Sequence, residues 1–247
     1  MNGPLDVGIA EVVDQLQERL DALPPGPDPR RAFLGTYVRM TTAIGEALAA
    51  GVFEDPGWVR HWDVAFVSHY LAAHDADVAG GEPPRPWRLA FGADPGLPTL
   101  VHLLLEMNAH VNYDLPQAIL EVVSDEEFRH PVMMAMRRRD HERIDTLISA
   151  QVGAEDRVLP GVGRSARRVI APLDRWSTRR FLPTARRQAW ANVLDLHEAR
   201  CIGPDAYAAR LIELDVLTSA QIADLLHPGP VLLRLAVRGF GVRLPPP

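Results

Sequence analysis

Apolar residues three and four positions apart recur along almost the whole chain, and strand-like alternation is confined to brief pieces. That period gathers apolar side chains on one face of a helix and commits the chain to burying those faces against other helices. Ile9, Val12, Val13, Leu16 and Leu20 set the pattern. A proline-rich break, LPPGPDPR, separates them from a second helix over about 31–50, which Gly51 closes. Asp55-Pro56 is a cap and first-turn pair opening a helix over about 56–77. The stretch 80–98 holds four glycines and five prolines and reads as a long loop, followed by a helix over about 97–112. Asp114-Leu-Pro-Gln117 and Ser124-Asp-Glu-Glu127 have capping-box form, the first opening a short helix and the second a long one to about 151. Beyond a glycine-rich stretch at 153–165, helices are expected over about 166–177, 181–200, 204–214, 218–226 and 229–239. The expected fold is all-α, a single-domain multi-helix bundle over 1–247, with 153–165 the place where it could divide. The helices over 56–77, 97–112 and 125–151 should pack side by side.

Composition narrows the function classes. No apolar run reaches the roughly 18 residues of a membrane helix, and the start, MNGPLDVGIAEVV, has no basic leader, so the expected compartment is the cytoplasm. One cysteine, Cys201, excludes an internal disulfide or a zinc ribbon. All 26 basic residues are arginine, which excludes lysine Schiff-base and P-loop chemistry. With no GxGxxG motif either, no nucleotide cofactor is expected. Residues 1–128 carry 7 Arg against 20 acids (−13), and residues 129–247 carry 19 Arg against 12 acids (+7), summing to −6. The favoured reading is that the halves attract each other. The basic half lacks interleaved aromatics and groove-reading motifs, so no nucleic-acid partner is expected.

Five of the nine histidines lie between 61 and 110, on two helices flanking the glycine- and proline-rich stretch. The first helix carries His61, Asp63, His69, Tyr70 and His74. On the second, His102, Glu106 and His110 recur every four residues, a stripe drifting by roughly 40° per step. Asn108, Asn112 and Asp114 follow; only four asparagines occur in the chain. Imidazole and carboxylate projecting inward from bundle helices suit a divalent metal such as Zn, Fe or Mn, with His102, His110, Asp114, Asp140 and His69 as ligands. Asp140 is the expected carboxylate partner of His110. His110, Asp114 and Tyr70 are the candidate acid–base groups. Trp87 and Phe91 would cover an apolar ligand from the 80–98 lid, Asn108 and Asn112 would bind substrate, and Arg143, with Arg167 and Arg168, would clamp an anion. Each has a plainer alternative: a hydrogen-bonded core histidine, an N-cap at Asp114, an anchoring tryptophan, a solvated arginine face.

The stretches FEDPGWVRHWDVAFVSHYLAA, PRPWRLAF, HLLLEMNAHVNYDLP and RRDHERIDTL resemble an uncharacterised, mostly actinobacterial all-helical family of unknown function, whose central stretch is similar to HLLLGMNAHINYDLP. The resemblance spans roughly residues 35–200. It falls on His102, Asn108, His110, Asn112 and Asp114, and more loosely on Asp63, Tyr70, Trp87 and Asp140. Glu106 replaces a small residue, Asp145 replaces Asn, and His61, His69 and His74 are additions, as in a specialised member of a natural-product pathway. The resemblance implies a helical fold and a site, and no reaction.

Three functions remain open. A small-molecule enzyme could use a metal for hydrolysis. A cofactor-free cyclase or isomerase could use acid–base groups in an apolar pocket on a lipophilic substrate. A non-catalytic ligand-binding protein would keep the histidines as core hydrogen-bonders.

Overall fold

The structure, a computed structural model, describes residues 7–25, 28–155, 164–227, 231, 235 and 239–246, and their side chains except at 7, 149–155 and 164–181. The described residues are all-α, with no strand among them. The elements are α1 (Val7–Ala22), α2 (Arg30–Ala49), α3 (Pro56–Val78), α4 (Arg85–Phe91) and α5 (Thr99–Ala109). A π-helical turn (His110–Asp114) leads into α6 (Leu115–Val122), followed by α7 (Asp125–Phe128), α8 (Pro131–Glu155), α9 (Arg164–Ile202) and α10 (Pro204–Leu226). No described helix is long and apolar enough to cross a membrane.

The run α5–π–α6 is the axis of the molecule. α5 touches α2, α4 and α10; the π-turn touches α3, α9 and α10; α6 lies on α3 and α9. Leu105, Leu115, Ile119 and Leu120 from this run are fully buried, as are Trp62 and Tyr70 of α3 and Trp87 of α4. Helices 56–77, 97–112 and 125–151 are therefore not one row: α3 lies chiefly against α6 and α1, and α5 lies elsewhere.

Caps explain several boundaries. Asp55 Oδ1 accepts the Trp58 N–H at 2.9 Å at the start of α3. Ser124 and Glu127 form the expected reciprocal box, yet it opens only the four-residue α7. Pro131 restricts His130 before it, so the helix restarts as α8. The 80–98 stretch is not all loop: it holds α4, with prolines in the first turn, where no N–H is needed. The helices expected at 166–177 and 181–200 are one 39-residue α9, and those at 204–214 and 218–226 are one α10. Residues 156–163, the centre of the expected division, lie outside the described residues, as do most of 229–239 and the side chains of Arg167 and Arg168.

The charge imbalance is used in pairs between the two halves. Arg137 bonds Asp55 at 2.5 Å and Glu127 at 2.6 Å, Arg139 and Arg143 bond Glu54 at 2.7 and 2.8 Å, and Arg200 bonds Asp125 at 2.5 Å.

The segment 239–246 is held by asparagines acting as backbone substitutes. Asn112 Nδ2 donates to Phe240 O at 2.9 Å, and Asn112 Oδ1 accepts the Val242 N–H at 2.9 Å. Asn192 repeats the arrangement with Val242 O and Leu244 N, both at 2.9 Å. Gly241 has no room for a side chain: a Cβ would stand 1.6 Å from Gln188 Oε1 and 2.8 Å from Ala185 Cα.

Candidate active site

Pro116 sets up the site. It has no N–H to give the Asn112 carbonyl, and the helix accommodates it through the π-turn, in which Leu115 N–H reaches back five residues to His110 O. Such turns often mark functional positions. Within it His110 and Asp114, four residues apart on one face, pair: Nδ1 lies 3.0 Å from Asp114 Oδ2. Asp114 begins α6 but makes no side-chain capping bond, which corrects the capping-box reading of Asp114–Gln117. Its carboxyl instead takes the Trp87 indole N–H, at 3.1 and 3.0 Å to its two oxygens.

The His110 ring is stacked on Phe66 with centroids 3.6 Å apart and planes at 9°, and Tyr37 packs against it at 4.7 Å. His110 Nε2 is buried with no hydrogen-bond partner. The ring lines a cavity of about 180 Å³ whose walls include Phe33, Tyr37, Ile44, Trp62, Phe66 and Phe240. Half-buried Thr36, Met40, Leu100, Leu103, Leu104, Met107 and Ile148, from α2, α5 and α8, complete the lining.

Three further polar side chains line this apolar space. Asp63 is buried with neither carboxyl oxygen bonded, and the Tyr37 hydroxyl is also without a partner. Arg186 is buried against the ring of Trp62, its guanidinium carbon 5.7 Å from the centroid. Its Nε donates to Asp145, and its Nη2 donates to His141 O at 3.1 Å. Burial, with smaller contributions from His69 and Arg186, holds His110 well below the usual imidazole value. Burial pushes Asp114 well above the carboxylate range, against the Trp87 bond. Both shifts favour the uncharged forms, a neutral imidazole beside a neutral carboxyl. Burial raises Asp63 to about 7, against the pull of Arg186.

The other sequence candidates lie elsewhere. Asp140 is not the partner of His110: its oxygens accept the Glu54 and Asp55 N–H groups at 2.9 and 2.8 Å, and Arg143 pairs with it at 2.6 Å. Arg143 is thereby part of the junction between α8 and the start of α3, not an anion clamp. His69 Nε2 lies 3.3 Å from Glu121 on a half-exposed face, and His102 is buried beside the Asp94 backbone. Glu106 is buried with Arg30 and Asp28 as its charged neighbours. The ligand atoms assigned to a divalent metal thus do not converge. Among the described residues the one triad of potential ligand atoms within 4.8 Å is Asp125, His197 and Cys201.

Trp87 and Phe91 are not a lid. Trp87 is fully buried behind the dyad, Phe91 stacks on it at 5.0 Å, and neither lines the cavity. Tyr70 is buried against Trp87 and also stands behind the cavity wall. Asn108 and Asn112 bind Phe240 O rather than substrate, at 3.3 and 2.9 Å. Sequence reasoning passed over Tyr37, Arg186 and Phe240, and it noted Asp63 without giving it a role. Asp63 did carry a signal: it is an acid set among Val59, Trp62, Phe66 and Val67 on the apolar face of α3.

A family model described as a family of unknown function (DUF5995) matches residues 9–228. No curated protein and no solved structure matches the chain.

Proposed function

We propose, for a chain that belongs to the DUF5995 family and so inherits no assigned reaction, that it is a small-molecule enzyme using acid–base chemistry at His110 on a lipophilic substrate. The observation that carries this reading is one imidazole with two unlike nitrogens. Nδ1 is engaged by Asp114, while Nε2 is buried, unpartnered and on the wall of an apolar cavity. With both groups uncharged and the imidazole proton on Nδ1, donated to Asp114, Nε2 presents a lone pair as a base; once it has taken up a proton it is the acid that returns it. Asp114 fixes the ring, and Trp87 fixes Asp114. The stacked Phe66 and the aliphatic walls exclude water, which strengthens each charge interaction inside.

This is the cofactor-free alternative of the sequence reading. It is preferred over metal-assisted hydrolysis because, among the described residues, His102, His69 and Asp140 do not converge with His110 and Asp114 on one point, and Nδ1 of His110 is already engaged.

The test uses 5-nitrobenzisoxazole, a small apolar molecule that opens when a base removes its carbon-bound proton and then absorbs visible light. The expected result is a saturable rate above buffer that His110→Gln returns to background with an unchanged circular dichroism spectrum. Equal rates for the two proteins would overturn the proposal.

A further inference from the structure

We infer that Asp63 is a second catalytic residue of this cavity. Its neutral carboxyl donates a hydrogen bond to the carbonyl oxygen of a small, uncharged, ring-bearing substrate while His110 Nε2 removes the proton on the adjacent carbon. The inference rests on the acid–base reading of His110 for its second half and on the cavity alone for its first.

Asp63 is 1% exposed and lines the cavity, and both of its oxygens lack a protein partner. A buried carboxyl without a partner is costly, and here the only space it can turn to is the cavity. A bound molecule with an acceptor oxygen satisfies it. The charge of the site selects against ions. Arg186 on the same wall repels an ammonium, and its charge is already paired with Asp145. An uncharged acceptor opposite a neutral acid is the remaining match. The volume suits a ring as the part of the ligand that is buried: a cavity of about 150 Å³ accommodates benzene, and this one holds about 180 Å³.

The proton step balances within the substrate. The C–H bond beside the carbonyl breaks and its proton goes to Nε2. The electron pair forms the new C=C bond, and the carbonyl π pair moves onto the oxygen held by the Asp63 O–H. In a substrate with a C=C at the β,γ position, the resulting dienolate takes the proton back at its γ-carbon, the double bond moves into conjugation with the carbonyl, and the isomerisation is complete with no co-reactant. A carboxylic acid kept neutral by apolar surroundings is a known device for holding such an oxygen.

The titratable and charged groups facing Asp63 are Tyr37 from α2, His110 from the π-turn, and Arg186 from α9 with its α8 partners His141 and Asp145. The other helices on α3, namely α1, α4 and α6, add no charge that Asp63 registers. A carboxyl that titrates at about 7 is a donor below that pH and not above it.

The experiment compares acetophenone with α-methylstyrene, in which CH₂ replaces the carbonyl oxygen, by calorimetric titration of the full chain at pH 6 and pH 8.5. We expect acetophenone to bind at least tenfold tighter at pH 6, with the preference shrinking at pH 8.5. Asp63→Leu should abolish the preference and keep α-methylstyrene binding. Asp63→Asn, with an amide donor that does not titrate, should keep it at both pH values. His110→Gln should leave it intact. Equal affinities in the unaltered protein, binding of neither compound, or a pH-dependent preference surviving in Asp63→Asn would overturn the inference. An acetophenone preference without benzisoxazole turnover would retain Asp63 recognition and remove the His110 base.

Discussion

Replacing Trp87 by Phe removes one N–H and leaves most of the ring stack with Phe91. Asp114 then loses the bond that opposes its burial, and its grip on His110 Nδ1 loosens. A hydrogen bond to an uncharged buried partner contributes about 0.5–1.5 kcal/mol, so we expect a modest fall in melting temperature. The benzisoxazole rate should fall at least tenfold at saturation while KM stays constant, because the indole is behind the dyad and not on the cavity wall. A KM that rises with unchanged kcat would place Trp87 against the ligand instead. At this scale the sequence was half legible. The cluster from His110 to Asp114 stands out because scarce asparagines and a buried stripe coincide there. His110 and Asp114, four residues apart, face each other as on any helix; that Trp87 reaches Asp114 and Phe240 reaches Asn112 is set by the packing of α4 and of 239–246 on this run.

The π-turn is an element whose cause is a single residue. Pro116→Ala supplies the missing N–H and lets the turn tighten toward α geometry, which keeps His110 and Asp114 on one face but shifts Asp114 relative to Trp87. We expect unchanged or slightly raised stability, by about 1 kcal/mol, with a lower benzisoxazole rate; melting curves beside kinetics check both. A second prediction concerns the junction of α3, α7 and α8. For Asp55, burial is outweighed by the Trp58 N–H and Arg137, and for Glu127 it is outweighed by Arg137 and Ser124, so both are held below their usual values. The Arg139 bond to Glu54 lowers that carboxyl from 4.5 to about 2. Groups depressed in the folded state contribute stability above their ordinary values and lose it as pH falls. Stability should therefore decline from about pH 4.5 down to about 2. Arg137→Met should flatten that decline and cost about 1–3 kcal/mol at neutral pH, measured by urea unfolding across pH. Caps such as Asp55 and Ser124 were readable because they are local. The brevity of α7, the length of α9 and the helix within 80–98 depend on prolines whose effect turns on whether they fall in a first turn.

Across the whole molecule, one cavity wall comes from a segment more than a hundred residues from His110. Asn108, Asn112 and Asn192 hold 240–244, and Phe240 closes the cavity. Gly241→Ala would drive a methyl into Ala185 and Gln188. Overpacking of this kind costs about 1–3 kcal/mol, and here it should also displace Phe240. The expected outcome is a lower melting temperature, faster hydrogen exchange at the Val242 and Leu244 amides, and weaker α-methylstyrene binding. Periodicity could announce an all-α chain but not this closure, which joins an irregular segment to helices far away in sequence. The complementary charges of the two halves were visible from composition; which arginine meets which acid required the packing of α8 on the start of α3.

The parallel contact between His110 and Phe66 has a consequence for measurement. A proton held above the face of a benzene ring is shielded by its circulating π electrons, so the carbon-bound protons of this imidazole, with those of His197, which lies on Phe128 at 3.7 Å, should resonate upfield of the other histidine lines. Substituting Leu for Phe66 should return one displaced pair to the crowded region and leave the other, which assigns the lines that report the protonation of the dyad without isotopic labelling.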